Sequence, residues 1–418
     1  MGNFVSVGAA CNTFKGCNKL TDAGNINVSN GANCFSGCVN LKYVNGINAT
    51  DNASEMFASC NNLKQVNTIN GKVFTNIFRG CTNLTYVNFA KAANTYYMNH
   101  AFYGCTNIPS ITLSNVHTFA MEGMCQGCTN LKTVHFDYDS NGTSECNYSN
   151  YAFAQCSNLT TINIIATANA SNYRRIYFYN MNYMFQDCTN LTSLPFNKSW
   201  FYNPYNSFEN CTKLTTLTFN HAQFNIYANT FVRSNNINKL DFGTSATAYL
   251  RVSASSAFPN LTSINGYANA VTANAFANCS KLTTVTNLRL ANSSANYLFH
   301  NCANLTSVHF NSSYTFTNGY AMFKNCKKLT TMNNIVPVSN DARYIFDGCV
   351  NLTGNIKFSE VNINYFTGAF NNTSLSKNVY IPYTINTSVT TNSKTRNSAV
   401  SANINGNNGV TLYNYWNA

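Results

Sequence analysis

One phrase recurs along nearly the whole chain and constrains its fold more than any other feature. It runs Phe, two residues, Cys, one residue, Asn or Lys, Leu, two residues, then Val, Ile, Leu or Met. It reads FKGCNKL at Phe14, FSGCVNLKYV at Phe35, FASCNNLKQV at Phe57 and FRGCTNLTYV at Phe78. It returns at Phe102, Phe153, Phe185, Phe208, Phe276, Phe299, Phe323 and Phe346. Degenerate copies fill the gaps. Cys125 stands at the Phe position, Ser234 follows Phe231 at the Cys position, Phe258 heads a shortened copy, and Thr373 follows Phe370. Sixteen units result, most of them 21 to 24 residues apart.

A period in the low twenties means one supersecondary unit per coil of a solenoid, because no single unit can bury its own apolar face. Leu84-Thr85-Tyr86-Val87-Asn88-Phe89 reads as a short strand with Leu84, Val87 and Phe89 inward. Leu191, Leu194 and Phe196 repeat the pattern, as do Leu305, Val308 and Phe310. The preceding Phe-x-x-Cys piece reads as a short helical turn. The expected class is therefore α/β: a right-handed repeat solenoid of about sixteen units, which the resemblance given below identifies as the leucine-rich-repeat type. It spans residues 1–372, and a small C-terminal β cap spans residues 373–418. Val379-Tyr380-Ile381-Pro382 and Val410-Thr411-Leu412-Tyr413 are the cap's expected strands. The first Phe-x-x-Cys begins at Phe14, so a partner subunit is expected over the first coil.

Composition narrows the chemistry. Charged residues make up 9% of the chain, against about 25% in ordinary globular domains. The 13 acids and 6 His are scattered, and no Ser-His-Asp, paired-carboxylate or glycine-rich phosphate arrangement emerges, so no enzyme is expected. The net charge of +12 is spread without a basic stripe, which disfavours nucleic acid. No 18-residue apolar stretch could enter a bilayer, and no signal-peptide pattern opens the chain. Asn is the most frequent residue, with 75 copies. Its recurrence before the strand Leu points to a turn role, in which the side chain bonds backbone groups.

Of the 17 cysteines, 13 occupy one register of the repeat; Cys11, Cys34, Cys125 and Cys146 lie off it. Neighbours in one register point the same way, so a column of buried free thiols is expected rather than disulfides or zinc. Such a chain suits a reducing compartment during folding.

These units resemble the BspA-like leucine-rich repeat family, whose signature is an Ala-Phe-x-x-Cys-x-x-Leu-x-x-Ile run. The resemblance covers about Phe14 to Phe370. It implies a repeat solenoid without shared catalytic residues, as found in bacterial adhesins, protist surface proteins and phage virion proteins. The expected function is a non-enzymatic binding or structural protein of a bacteriophage virion, of tail or head fibre type, made in the host cytoplasm. Its partners would be virion proteins and a host-surface glycan or protein. The alternative is a bacterial or protist cell-surface or secreted adhesin.

Two local features stand out as candidate sites. Tyr173, Arg174, Arg175, Tyr177 and Tyr179 fall in one long unit, and Trp200, Phe201, Tyr202 and Tyr205 in the next. Aromatic rings with Asn and Arg nearby suit capture of a glycan or a protein. Asp137, Asp139, Asn141 and Glu145 resemble the first half of a calcium loop, although Tyr148 stands where the twelfth-position acid belongs. Calcium is the one cofactor this pattern admits.

Overall fold

The computed structural model describes residues 4–5, 8–89, 97–114, 120–138, 144–166, 176–195, 199–202, 204–219, 223–226, 230–231, 233–243, 249–252, 258–268, 273–290, 294–311, 316–332, 336–353, 356–358, 365, 367–374, 378–381 and 411–414. The chain forms two compact bodies. The first holds Met1–Thr215 with Asn229–Asn236; the second holds Thr216–Ala228 with Ile237–Ala418.

Each body is a parallel β-solenoid. In the first, Asp22–Asn30, Tyr43–Asn52, Gln65–Gly71 and Tyr86–Phe89 pair in sequence order, every pair parallel. Register aligns like with like: Val44 lies against Val66, Val66 against Val87, and Ile47 against Ile69. Further along, Ile111 aligns with Val134 and Val134 with Ile162. The second body repeats the scheme from Leu240 through Ile264, Val285 and Val308 to Met332. The strands Asn378–Ile381 and Thr411–Asn414 continue a parallel ladder from Ile356–Lys357. Alternation along each strand turns this apolar row inward and a polar row outward.

The signature turn stacks coil upon coil. Phe14, Phe35, Phe57, Phe78 and Phe102 form a ring stack with centroid spacings of 5.1, 5.4, 5.8 and 5.5 Å. In the second body Phe276, Phe299, Phe323, Phe346 and Phe370 stack at 5.7, 5.6, 5.4 and 5.6 Å. Beyond Phe14, which is half-buried, these rings are buried. Burial of each contributes about 1.5–3 kcal/mol.

No helix occurs among the described residues, so the expected helical turn is corrected. The turn is instead a run of tight turns with left-handed backbone two residues before and two residues after the Phe. Around Phe35 these are Asn33 (φ 56) and Gly37 (φ 73). A left-handed residue every four positions cannot continue a right-handed helix. Alternate N–H groups bond across coils instead. Asn33, Phe35 and Gly37 donate to the carbonyls of Ser54, Met56 and Ala58, while Cys34, Ser36 and Cys38 donate three residues back. Asn and Gly dominate at the second left-handed position, from Gly16 to Asn372, because they tolerate it best.

The thiols also have bonding work. Cys38 Sγ donates to the Phe14 carbonyl one coil earlier at 3.0 Å, and Cys60, Cys81, Cys105 and Cys128 repeat the contact on Phe35, Phe57, Phe78 and Phe102. Cys302, Cys326 and Cys349 do the same in the second body. Ser234, the degenerate copy, keeps the donor: its hydroxyl bonds the Phe208 carbonyl. The shortened copy is re-registered here. Phe258 takes the Cys position, since the Leu261 N–H bonds its carbonyl as the Leu20 N–H bonds that of Cys17.

The repeated Asn does two jobs. In one stretch its amide bonds the amide of the previous coil: Asn83 to Asn62, then Asn107, Asn130, Asn158 and Asn190 in turn, at 3.1 to 3.5 Å. Elsewhere it bonds backbone, as Asn40 does to Asn18 and Asn351 to Lys327.

Candidate functional site

The first left-handed position of each turn lies on an outer corner of the coil. Asn12, Asn33, Asn76, Asn206 and Asn274 take it where a small polar residue suffices. At four coils a tyrosine occupies it: Tyr151 (φ 57), Tyr183 (φ 57), Tyr297 (φ 55) and Tyr344 (φ 56). A bulky side chain in that conformation costs roughly 1–2 kcal/mol, and Asn or Gly would cost less. Strain retained at a surface position points to use.

In the first body the corner is aromatic. Tyr151 and Tyr183 stack at 5.0 Å with planes 5° apart. Tyr179 and Tyr202 stack at 5.0 Å and 7°, and Tyr177 lies 6.2 Å from Tyr179. Tyr205 and Tyr148 are 42% and 56% exposed. The backbone explains the grouping. Ile176–Phe178 pairs in parallel with both Ser144–Cys146 and Ser199–Phe201, which sets Tyr177 opposite Glu145 and Trp200. The Tyr183 N–H donates to the Tyr205 carbonyl at 3.0 Å, tying the corner to the next coil.

Of the residues singled out in the sequence, Tyr177, Tyr179, Tyr202 and Tyr205 are half-buried or exposed rings in the same stretch of coils. Trp200 and Phe201 are placed by backbone on the same ladder. Tyr173, Arg174 and Arg175 lie outside the described residues. Sequence reasoning missed Tyr148, Tyr151 and Tyr183. The signal was a Tyr two residues before the repeat Phe, as in Tyr151-Ala-Phe153 and Tyr183-Met-Phe185.

The calcium candidate is only partly in view. Asp137 falls in the strand Thr133–Tyr138 and Glu145 in Ser144–Cys146, while Asp139 and Asn141 lie outside the described residues.

The buried cysteines are poor nucleophiles. All 17 are free thiols, and only Cys11 and Cys17, in the first coil, are exposed. Burial raises Cys34 from 9.0 to about 11, and Cys60 and Cys279 to about 12. It also pushes Cys81, Cys188 and Cys326 well above 9.0. Thiols so held stay protonated at neutral pH, and the thiolate is the reactive form. Cys125 is buried in the ring position, and its carbonyl accepts the Cys156 thiol at 3.1 Å. Burial, reinforced by nearby Lys324, holds His300 below the ordinary imidazole value; burial also lowers His100. Among the described residues no three His, Cys, Asp or Glu side chains gather as a metal site, and no helix is long and apolar enough to cross a membrane.

The coil geometry defines a leucine-rich-repeat solenoid with an aromatic corner. A profile of the BspA type leucine rich repeat region matches residues 9–76, 54–183, 171–283 and 269–396. The chain belongs to that family. Similar solved structures include a leucine-rich repeat protein from Bacteroides ovatus, with 18% identity and a TM-score of 0.34 over 99% of this chain and 91% of that one. Another is a leucine rich cell surface protein from Faecalibacterium prausnitzii, with 17% identity and a TM-score of 0.23 over 75% of this chain and 82% of that one. A third is an internalin from Listeria monocytogenes, with 14% identity and a TM-score of 0.30 over 86% of each chain. No curated protein matches the chain in sequence.

Proposed function

We propose that this chain is a non-enzymatic, protein-binding surface protein of adhesin type, and that the tyrosine corner of the first body holds the partner. The observation that carries the reading is the pair of stacked tyrosines in left-handed backbone, Tyr151 and Tyr183. The fold would be cheaper with Asn there, as at Asn76 and Asn206.

The stacking also favours one class of partner. Tyr179 and Tyr202 turn a ring face toward each other, as do Tyr151 and Tyr183. Each pair covers one face of each ring, and its ring edges and phenol hydroxyls suit a protein surface, where Tyr is enriched at binding hot spots. The protonated, buried thiols and the family's repeat architecture support binding over turnover. The virion reading draws no support from the family match or the similar structures, and the surface reading replaces it.

Two measurements test this. Antibody labelling of intact producing cells should show the chain at their surface; labelling of phage particles alone would oppose it. The Tyr179→Ala, Tyr202→Ala double variant, with strand content intact, should bind immobilised extracellular proteins at least tenfold more weakly. Binding that is unchanged, or confined to a glycan array, would reject the corner.

A further inference from the structure

The second body carries the same corner built differently. Tyr297 and Tyr320 lie 5.2 Å apart, and Tyr320 and Tyr344 5.7 Å apart. Cations are set into this row. The Arg343 guanidinium sits 5.2 Å from the Tyr320 ring centroid and 5.1 Å from that of Tyr365, one ring from each neighbouring coil. Lys324 Nζ lies 5.4 Å from the Tyr344 centroid. Two carboxylates hold the cations in place. Arg343 Nε and Nη2 donate to Asp341 at 3.1 and 2.8 Å, and Lys324 Nζ reaches Asp347 at 2.9 Å. Asp341 and Asp347 are buried, at 7% and 8% exposure. Space has been made for the row: a Cβ on Gly368 would fall 2.5 Å from the Tyr344 ring.

The arrangement keeps cations upright among rings. Asp341 takes one edge of a guanidinium fork that carries five N–H donors, so donor capacity remains. Cation–π contact orients the rest without neutralising it. The charge of this body is lopsided, with twelve Lys and Arg against four Asp and Glu. Two of those four acids are the buried pair that fixes Arg343 and Lys324.

We propose that this row is a second docking surface, separate from the tyrosine corner of the first body, and that it takes an acidic segment of a protein partner. Carboxylates of the segment meet Arg343, Lys324 and the phenol hydroxyls, while its apolar side chains pack on the ring edges. Tyr and Arg together are the side chains that concentrate binding energy at protein interfaces. Dense phosphate fits less well, because each fixed cation has a carboxylate beside it.

The test uses the full chain and a fluorescein-labelled Glu–Tyr copolymer, read by anisotropy. Wild type binds, and binding weakens as salt rises. The Asp341→Asn, Arg343→Gln double variant leaves the net charge unchanged and strands no buried ion. It should bind at least fivefold more weakly. Tyr365→Ala, at an exposed ring, should bind at least threefold more weakly without touching the core. Tyr179→Ala, Tyr202→Ala should bind the copolymer as wild type does, which separates this surface from the first. Full affinity in both row variants would overturn the proposal, as would a preference of wild type for a heparin fragment or DNA oligomer of equal charge.

Discussion

The buried Phe column and the tyrosine corner lie two positions apart in the repeat, yet different rules govern them. At Phe153 and Phe185 the ring is buried and stacked at 5.6 Å, and the repeat admits little else there. At Tyr151 and Tyr183, two positions earlier, the backbone is left-handed, the ring is half-buried, and other coils use Asn, Glu, His, Gly or Ala. The column stabilises the coil at every copy. The corner costs stability where it carries tyrosine and varies between coils. Fold and binding are therefore read from adjacent positions of one repeat, and substitutions should separate them.

The largest expected effect lies in the column. Burial holds Cys60 and Cys279 of this column well above the 9.0 of an exposed thiol, at about 12, because it disfavours the thiolate. Between 9.0 and those values the unfolded chain has lost protons that the folded chain keeps. Stability is thus fully present below about pH 9 and falls as pH rises, by about 1.4 kcal/mol per pH unit for each such thiol. Unfolding monitored by circular dichroism should show a flat midpoint from pH 6 to 8 and a steep collapse above pH 9. A gentle alkaline slope would mean the thiols are not buried in series.

A single thiol gives a smaller effect. Cys81 fills a small space and donates to the Phe57 carbonyl. Cys81→Ala should cost about 1–2 kcal/mol through the lost donor and the small void. Cys81→Ser should cost less, as Ser234 occupies the same position in its own coil. Cys81→Val, which removes the donor and overfills the site, should cost most. Equal losses in all three would remove the donor role.

The column was legible in the sequence because burial at every coil imposes a strict period on Phe, Cys and Leu. The strand rows followed by alternation, and strands were expected at Val379–Pro382 and Val410–Tyr413, where the chain forms Asn378–Ile381 and Thr411–Asn414. The thiol's bonding was not legible, because Cys reads as a small apolar residue and only Ser234 hints at a donor. The turn was misread as helical: Asn33 and Gly37 announce left-handed backbone, but only when the two are taken together. The aromatic crowding at Tyr177, Tyr179, Tyr202 and Tyr205 was read from the sequence. The strained Tyr151 and Tyr183 were not, because a left-handed Tyr breaks no periodicity. The row around Arg343 was hidden for another reason: Tyr320, Arg343 and Tyr365 sit in three separate coils and meet only on stacking.

The smallest effect concerns the corner alone. Tyr183→Asn relieves the left-handed backbone and loses the stack on Tyr151; Tyr183→Ala loses the stack and keeps the strain. The Asn variant should be the more stable of the two by about 1 kcal/mol. Equal stability would mean that the corner stores no strain.

The most direct measurement combines both properties in one protein, the Tyr151→Asn, Tyr183→Asn double variant. Its thermal midpoint and its binding to immobilised extracellular proteins are measured beside those of wild type. A midpoint equal to or above that of wild type, with binding at least tenfold weaker, is the predicted outcome. A clear fall in the midpoint with binding intact would contradict the assignment of these tyrosines to recognition.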